Sequence, residues 1–435
     1  MFPGAKIVVV DDDSVHLEAV ISALRKLGLA CLSYHYPDER PAVDTSFGGI
    51  RLVVIDINLV GGTSPGNDHA TLGPPASLID RIISAENGPY ALVTWSTTDL
   101  HDALIQRMRH QGFTESRMPF FSVPLAKADF LDDPDGFKDE IKSLLTKNPP
   151  FGAILDWERR VSRAAERVLF NIHDISGRFS GGEAAERMDR ALSRLAVNAF
   201  GQANVADHRF EATNEALMPI LTDAVNSELF SAEDRDIWEK AVTKHGEKFT
   251  LDAAAISKLN TAVNLEVSSD VKPHRRGAIL EVPEAWLNDD EFERRFGSQP
   301  KRLRGDLLKL TEPKTPRWVL VQVQAACDFS QGNVGTIPYF LAAVVPMTRV
   351  RMQKDGADLK LPASVWQSPP FDSVLPISTD SFALEILTGV AYPMTRKTIE
   401  ESKFKVIGRL KDQIVSSIAY QGNTNGSRPG YISFR

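Results

Sequence analysis

The stretch Lys6–Ser14, "KIVVVDDDS", runs four branched apolar residues straight into three adjacent carboxylates. A run such as Ile7–Val10 suits a strand buried on both faces, as in a parallel sheet flanked by helices. Three carboxylates at its carboxyl end repel one another unless water or a cation takes up the charge. In open α/β sheets, ligands bind at the carboxyl ends of the strands. The stretch therefore predicts either a metal site or a solvated loop in which Asp13 or Ser14 caps the next helix.

Outward from it, Lys6 to Thr146 alternates short apolar strands with amphipathic helices. The predicted strands are Ile7–Val10, Ala30–Tyr34, Leu52–Ile55, Ala91–Thr94 and Phe120–Val123. The predicted helices are Ser14–Leu27, Ala76–Ser84, Leu100–Gln111 and Asp135–Leu145. With right-handed crossovers, this alternation predicts an α/β fold with a doubly wound, five-stranded parallel sheet over 1–147. The Gly/Pro-rich stretch Asn58–Pro75 reads as an extended loop. "KNPPFG" at Lys147–Gly152 marks a boundary, because Pro149 and Pro150 cannot continue a helix.

A helical connector is expected over 148–265, with Trp157, Val161, Ala164, Val168 and Leu169 forming one core-facing stripe. From about Gly277 the texture turns to short strands with many prolines, which predicts a β-rich domain over 266–435 built as a bent sheet or barrel.

A second acid sharpens the first motif. "LVVIDINL" places Asp56 at the end of another all-apolar strand, so Asp11, Asp12 and Asp56 converge on one rim if those strands are neighbours. Such hard oxygen donors suit Mg²⁺. "ALVT" ends in Thr94, whose hydroxyl falls beside the same pocket.

These residues resemble the receiver domain of bacterial two-component response regulators, over about the first third of the chain. The resemblance implies that Asp11 and Asp12 hold Mg²⁺ and that Asp56 accepts a phosphoryl group from a phosphohistidine. It further implies that Asn58 gives a backbone carbonyl to the metal, that Thr94 is the switch hydroxyl and that Phe120 is the rotameric aromatic. Two positions depart from the family. Its fifth strand ends in Lys-Pro, where the matching pair here reads Val123-Pro124. Lys127 lies three residues beyond Pro124 and, at about 3.3 Å per extended residue, reaches the site only if the chain folds back. Trp95 stands where the family has a small residue guarding the acceptor.

The 435 residues carry a net charge of -7, which gives no general attraction to nucleic acid or anionic lipid. The basic clusters "HRRG", "FERRFGSQPKRLRG" and "TRVRMQK" interleave with acids and read as a solvated face, so nucleic acid is not an expected partner. The two cysteines, Cys31 and Cys327, give no disulfide framework and fit a reducing compartment. The early Asp11 leaves no room for a secretory signal, and no apolar run is long enough to span a bilayer, so a cytoplasmic location without membrane contact is expected.

Cys327 beside Asp328 could serve as a nucleophile with His274 as partner, although a lone cysteine is more often a small buried apolar residue. The strand ending in Cys-Asp is loosely similar to C-terminal modules of receiver-bearing proteins in bacterial conflict and antiphage loci, which implies a histidine kinase or kinase-like ATPase as partner. The expectation is a signalling protein rather than an enzyme, with a protein partner for its C-terminal domain. The alternative is a non-phosphorylated pseudo-receiver that only docks a kinase-like partner. Lys127 separates the two: near the acidic rim it supports phosphorylation, far from it the scaffold.

Overall fold

The computed structural model describes residues 6–39, 47–60, 68–97, 100–130, 133–177, 182–247, 251–267, 271–311, 316–325, 328–329, 335–349, 351–354 and 357–426. The chain parts into two compact units, 1–162 with 228–246, and 163–227 with 247–435.

In the first unit the strands are β1 (Ile7–Asp11), β2 (Cys31–His35), β3 (Leu52–Ile55), β4 (Ala91–Ser96) and β5 (Phe121–Ala126). They pair in the order β2-β1-β3-β4-β5, parallel throughout. Side chains alternate between two cores, as a strand buried on both faces requires. Val8, Val10, Val53, Ile55 and Leu92 face one core with α2 (Asp68–Ile82) and α3 (His101–His110). Ile7, Val9, Val54, Val93 and Leu125 face the other with α1 (Ser14–Lys26) and α5 (Pro134–Lys147), and the short α4 (Lys127–Phe130) follows β5 directly. Asp13 is the residue that caps α1, accepting from Val15 N at 2.8 Å and His16 N at 3.2 Å.

Some local expectations change. Within the Gly/Pro-rich stretch, α2 begins at Asp68 and contains Pro74 and Pro75, because burial of Leu72, Ala76, Leu78 and Ile79 outweighs their poor propensity. β5 does not stop at Val123 but runs to Ala126. The break at Asn148 is followed at once by α6 (Pro149–Ile175), whose prolines sit in the first turn, where a missing N–H costs nothing. On α6 the buried stripe is Ala164, Val168 and Ile172, while Trp157 and Leu169 are exposed and Val161 is half-buried.

The first unit also takes in α10 (Ala232–Ala241), held to the start of α6 by buried charge pairs. Arg160 Nε donates to Asp156 Oδ2 at 2.7 Å and Arg160 Nη2 to Asp234 Oδ2 at 2.9 Å.

The second unit contains α7 (Gly182–Phe200), α8 (Gln202–Val205), α9 (Arg209–Asn226), α11 (Ala253–Asn264) and α12 (Asp289–Phe296). Its strands are β6 (Leu265–Glu266), β7 (Ala278–Glu281), β8 (Arg317–Gln322), β9 (Tyr339–Pro346), β10 (Gln353–Lys354), β11 (Ala357–Asp358), β12 (Val365–Gln367), β13 (Phe382–Ala391) and β14 (Val406–Leu410). Seven form one antiparallel half-barrel sheet in the order β12-β13-β9-β8-β7-β14-β6, with an apolar core on each face.

The run "HRRG" is not a solvated face. Arg275 and Arg276 are buried, and Arg276 donates to the Gln324 carbonyl at 2.8 Å, Asp412 Oδ1 at 2.6 Å and Ser416 Oγ at 3.0 Å. Among the described residues, no helix is long and apolar enough to cross a membrane.

Candidate functional site

Parallel strands deliver their ends to one rim. β1 ends in Asp11, with Asp12 next; Asp56 follows β3; Thr94 lies in β4 opposite Ile55; Lys127 follows β5. Carboxylate oxygens of Asp11, Asp12 and Asp56 lie within 4.8 Å of one another. Asp11 and Asp56 are buried and Asp12 is half-buried.

Lys127 is the counter-charge, and only 3% of it is exposed. Its Nζ donates to Asp56 Oδ2 at 2.7 Å and to Asp11 Oδ1 at 3.1 Å, and lies 2.9 Å from Asp11 Oδ2. Because β5 runs three residues past Val123, Lys127 arrives at the rim without any fold-back. The sequence reading made its arrival conditional on a fold-back because it ended the strand at Val123.

Burial pushes the Asp11 carboxyl up to about 6, against the pull of Lys127. Burial, then a hydrogen bond shared with Asp56, raises Asp12. Burial works against the Lys127 ammonium, but Asp11 and Asp56 more than offset it, and its pKa rises.

These residues fit a divalent cation. When fully ionised, three carboxylates against one ammonium leave two negative charges at the rim. Asp11 Oδ2 is buried with no hydrogen-bond partner, since its contact with Lys127 lacks hydrogen-bond geometry. An open lone pair among hard oxygen donors is what Mg²⁺ takes. Asn58 borders the cluster, its backbone N–H donating to Asp56 Oδ1 at 3.0 Å.

No protein-family model matches the chain, and no curated protein matches it.

Thr94 is buried at the rim, and its Oγ1 lies 2.8 Å from His101 Nδ1. The other ring nitrogen, Nε2, lies 3.1 Å from Ser122 Oγ. His101, the first residue of α3, escaped the sequence reading because nothing in its spacing marks it. His16 escaped too, with Nδ1 at 3.3 Å from Lys127 Nζ. On α1 it falls one turn past the acids, and that spacing is the one signal that could have found it.

Two expected members lie elsewhere. Phe120 precedes β5 at the amino end of the strand, opposite the rim, where it is half exposed and stacks on Phe151 at 5.6 Å. The register that seats Lys127 at the rim carries Phe120 away from it, so Phe120 is not a switch aromatic. Trp95 does not guard the acceptor; it points into the core beneath α1 and α5, edge-on to Phe137 at 5.1 Å.

In the second unit, His274 Nε2 lies 3.4 Å from Arg396 Nη2, and burial followed by Arg396 pushes the ring down to about 4. Cys327 lies outside the described residues.

Proposed function

We propose that the first unit is a response-regulator receiver in which Asp56 accepts a phosphoryl group with Mg²⁺ at Asp11, Asp12 and Asp56. The observation that carries this reading is Lys127, buried at the rim with Nζ 2.7 Å from Asp56 Oδ2. A carboxylate that attacks phosphorus brings negative charge onto oxygens that need a fixed cation close by, and a positioned ammonium supplies it. In a scaffold that only docks a partner, Lys127 would do no more than offset the charge of the buried Asp11 and Asp56.

On this reading an Asp56 oxygen bonds to phosphorus as the bond to the donor breaks. Lys127 shifts from the Asp56 carboxylate to the new phosphoryl oxygens. Asp11 and Asp12 hold the cation, which supplies charge neutralisation when bound. Thr94 contacts the phosphoryl group from the next strand. A histidine kinase or kinase-like ATPase is the expected donor. The added charge biases the rim, and the second unit serves as output or interaction domain.

The test is incubation with Mg²⁺ and acetyl phosphate, read by intact mass. Wild type should gain one phosphoryl group and Asp56→Asn should gain none. A wild type that gains nothing and also fails to bind beryllofluoride with Mg²⁺ overturns the reading.

A further inference from the structure

We infer that the second unit holds a free apolar α-amino acid in an open cavity between α9 and the β14–β6 edge of the half-barrel sheet. The cavity belongs to the second unit alone, so it stands or falls separately from the phosphoryl reading.

The cavity measures about 390 Å³, within the range of small-molecule sites. Along α9, Phe210, Glu211, Asn214, Glu215 and Met218 line it at helical spacing. Glu266 of β6 and Arg409 of β14, which pair across the two strands, line it as well, with Lys411 and Asp412. Arg275, between β6 and β7, completes it.

Arg275 is only 6% exposed, and its Nε is buried with no hydrogen-bond partner. Its ion pair with Glu211 Oε1, 3.6 Å from Nη1, is too long for a hydrogen bond. Burial, then the Arg409 charge, pulls the guanidinium pKa down. A buried guanidinium left without acceptors is costly, and a carboxylate relieves it with two parallel hydrogen bonds.

The charges around it are already paired. Arg409 Nη1 donates to Glu266 Oε2 at 2.8 Å, and Arg409 and Arg276 share Asp412. Lys411 Nζ donates to the Ala262 carbonyl at 2.6 Å. Glu215, by contrast, makes no hydrogen bond or ion pair among the described residues, although Asp412, Arg409, Arg275 and Arg276 act on it through space.

These signs decide what the cavity takes. Arg276 and Arg409 balance Glu266 and Asp412, and Arg275 and Lys411 balance Glu211 and Glu215. A lone anion drawn to Arg275 would meet Glu211 and Glu215, and a lone cation drawn to those acids would meet Arg275. A molecule with one charge of each sign satisfies both and leaves the balance unchanged. Arg275 and Glu211 stand 3.6 Å apart, so the two charges of the ligand must be close neighbours, as the ammonium and carboxylate of an α-amino acid are. The carboxylate goes to Arg275 and the ammonium to Glu215 and Glu211. Phe210 and Met218, 78% and 46% exposed on the same helix, then receive an apolar side chain.

The experiment is isothermal titration calorimetry of the full chain with L-leucine, L-methionine and L-phenylalanine. Each is set against the amine and the carboxylic acid that lack its other charge. An amino acid should bind, and its two analogues should bind about tenfold more weakly or worse. Glu215→Gln and Arg275→Gln should weaken the amino acid by a similar factor, with urea unfolding to show that each variant is folded. Should Arg275→Gln fail to fold, Glu215→Gln decides, since Glu215 is exposed. Failure of all three amino acids to bind overturns the inference. So does an amine or acid that binds as well as its amino acid, or a folded Glu215→Gln that binds like wild type.

Discussion

At the scale of single residues, the acids were readable because they are contiguous with their strands. Asp11, Asp12 and Asp56 each follow a run of branched apolar residues, and the parallel pairing of β1 with β3 then brings them to one rim. Lys127 was not readable in this way, and its role can be tested. Lys127→Met leaves Asp11 and Asp56 buried without a cation, which should cost about 3–5 kcal/mol in urea unfolding. Mg²⁺ should then raise the unfolding midpoint of the variant more than that of wild type, since it replaces the lost charge; an equal shift would argue against the cluster as its site. His274 gives a pH prediction. Its ring is held near 4 in the fold against an ordinary 6.5, so between these values the unfolded chain binds more protons. Stability from this group is fully present above about 6.5 and is lost as pH falls toward 4. Asp11 works in the opposite sense: the fold holds it near 6 against 3.8, so its contribution is lost as pH rises through that window. The difference between wild type and His274→Gln isolates the histidine. The variant should show the flatter decline below pH 6.5, followed by urea midpoints. Asp207, Lys272, Arg396 and His208 are the charged and titratable groups that face the ring.

At the scale of elements, the five strands and the helices α1, α2, α3 and α5 of the first unit follow from the apolar periodicity, and the misplaced ends have physical causes. Pro124 argued for the end of a strand, yet β5 lies at the edge of the sheet, where a residue without an N–H is tolerated. Pro74 and Pro75 argued for a loop, yet α2 is held by its buried face. "HRRG" argued for solvent, because a charge run gives no sign of depth until carbonyls and Asp412 are seen around Arg276. Gly277 shows how tightly this corner is built. Its φ is +83°, its N–H donates to the Gln322 carbonyl at 3.1 Å, and its own carbonyl accepts from Leu410 N at 2.9 Å. A Cβ there would run into the Leu410 carbonyl. Gly277→Ala should therefore cost more than about 2 kcal/mol by chemical denaturation, whereas Gly297→Ala, also at positive φ but in open space, should cost less.

At the scale of the whole molecule, the two compact units give the next prediction. A ligand that binds only the folded state protects the unit that holds it, by about 2.7 kcal/mol at a hundred times its dissociation constant. Mg²⁺ with beryllofluoride should slow hydrogen exchange across 6–162 and 228–246, and slowing of equal size across the half-barrel strands would show that the two units open together. The division itself was not legible, because helix periodicity does not say which neighbour a helix packs against. One last consequence concerns association between chains. A parallel sheet ends in two open borders, and a border with a full row of donors and acceptors invites a further strand from another chain. Pro124 removes a donor from the β5 border, and Lys127 closes the strand with a charge drawn inward to the acids. That flank of the first unit is a poor template for sheet extension, so copies of this chain that meet there have no ready backbone ladder to share.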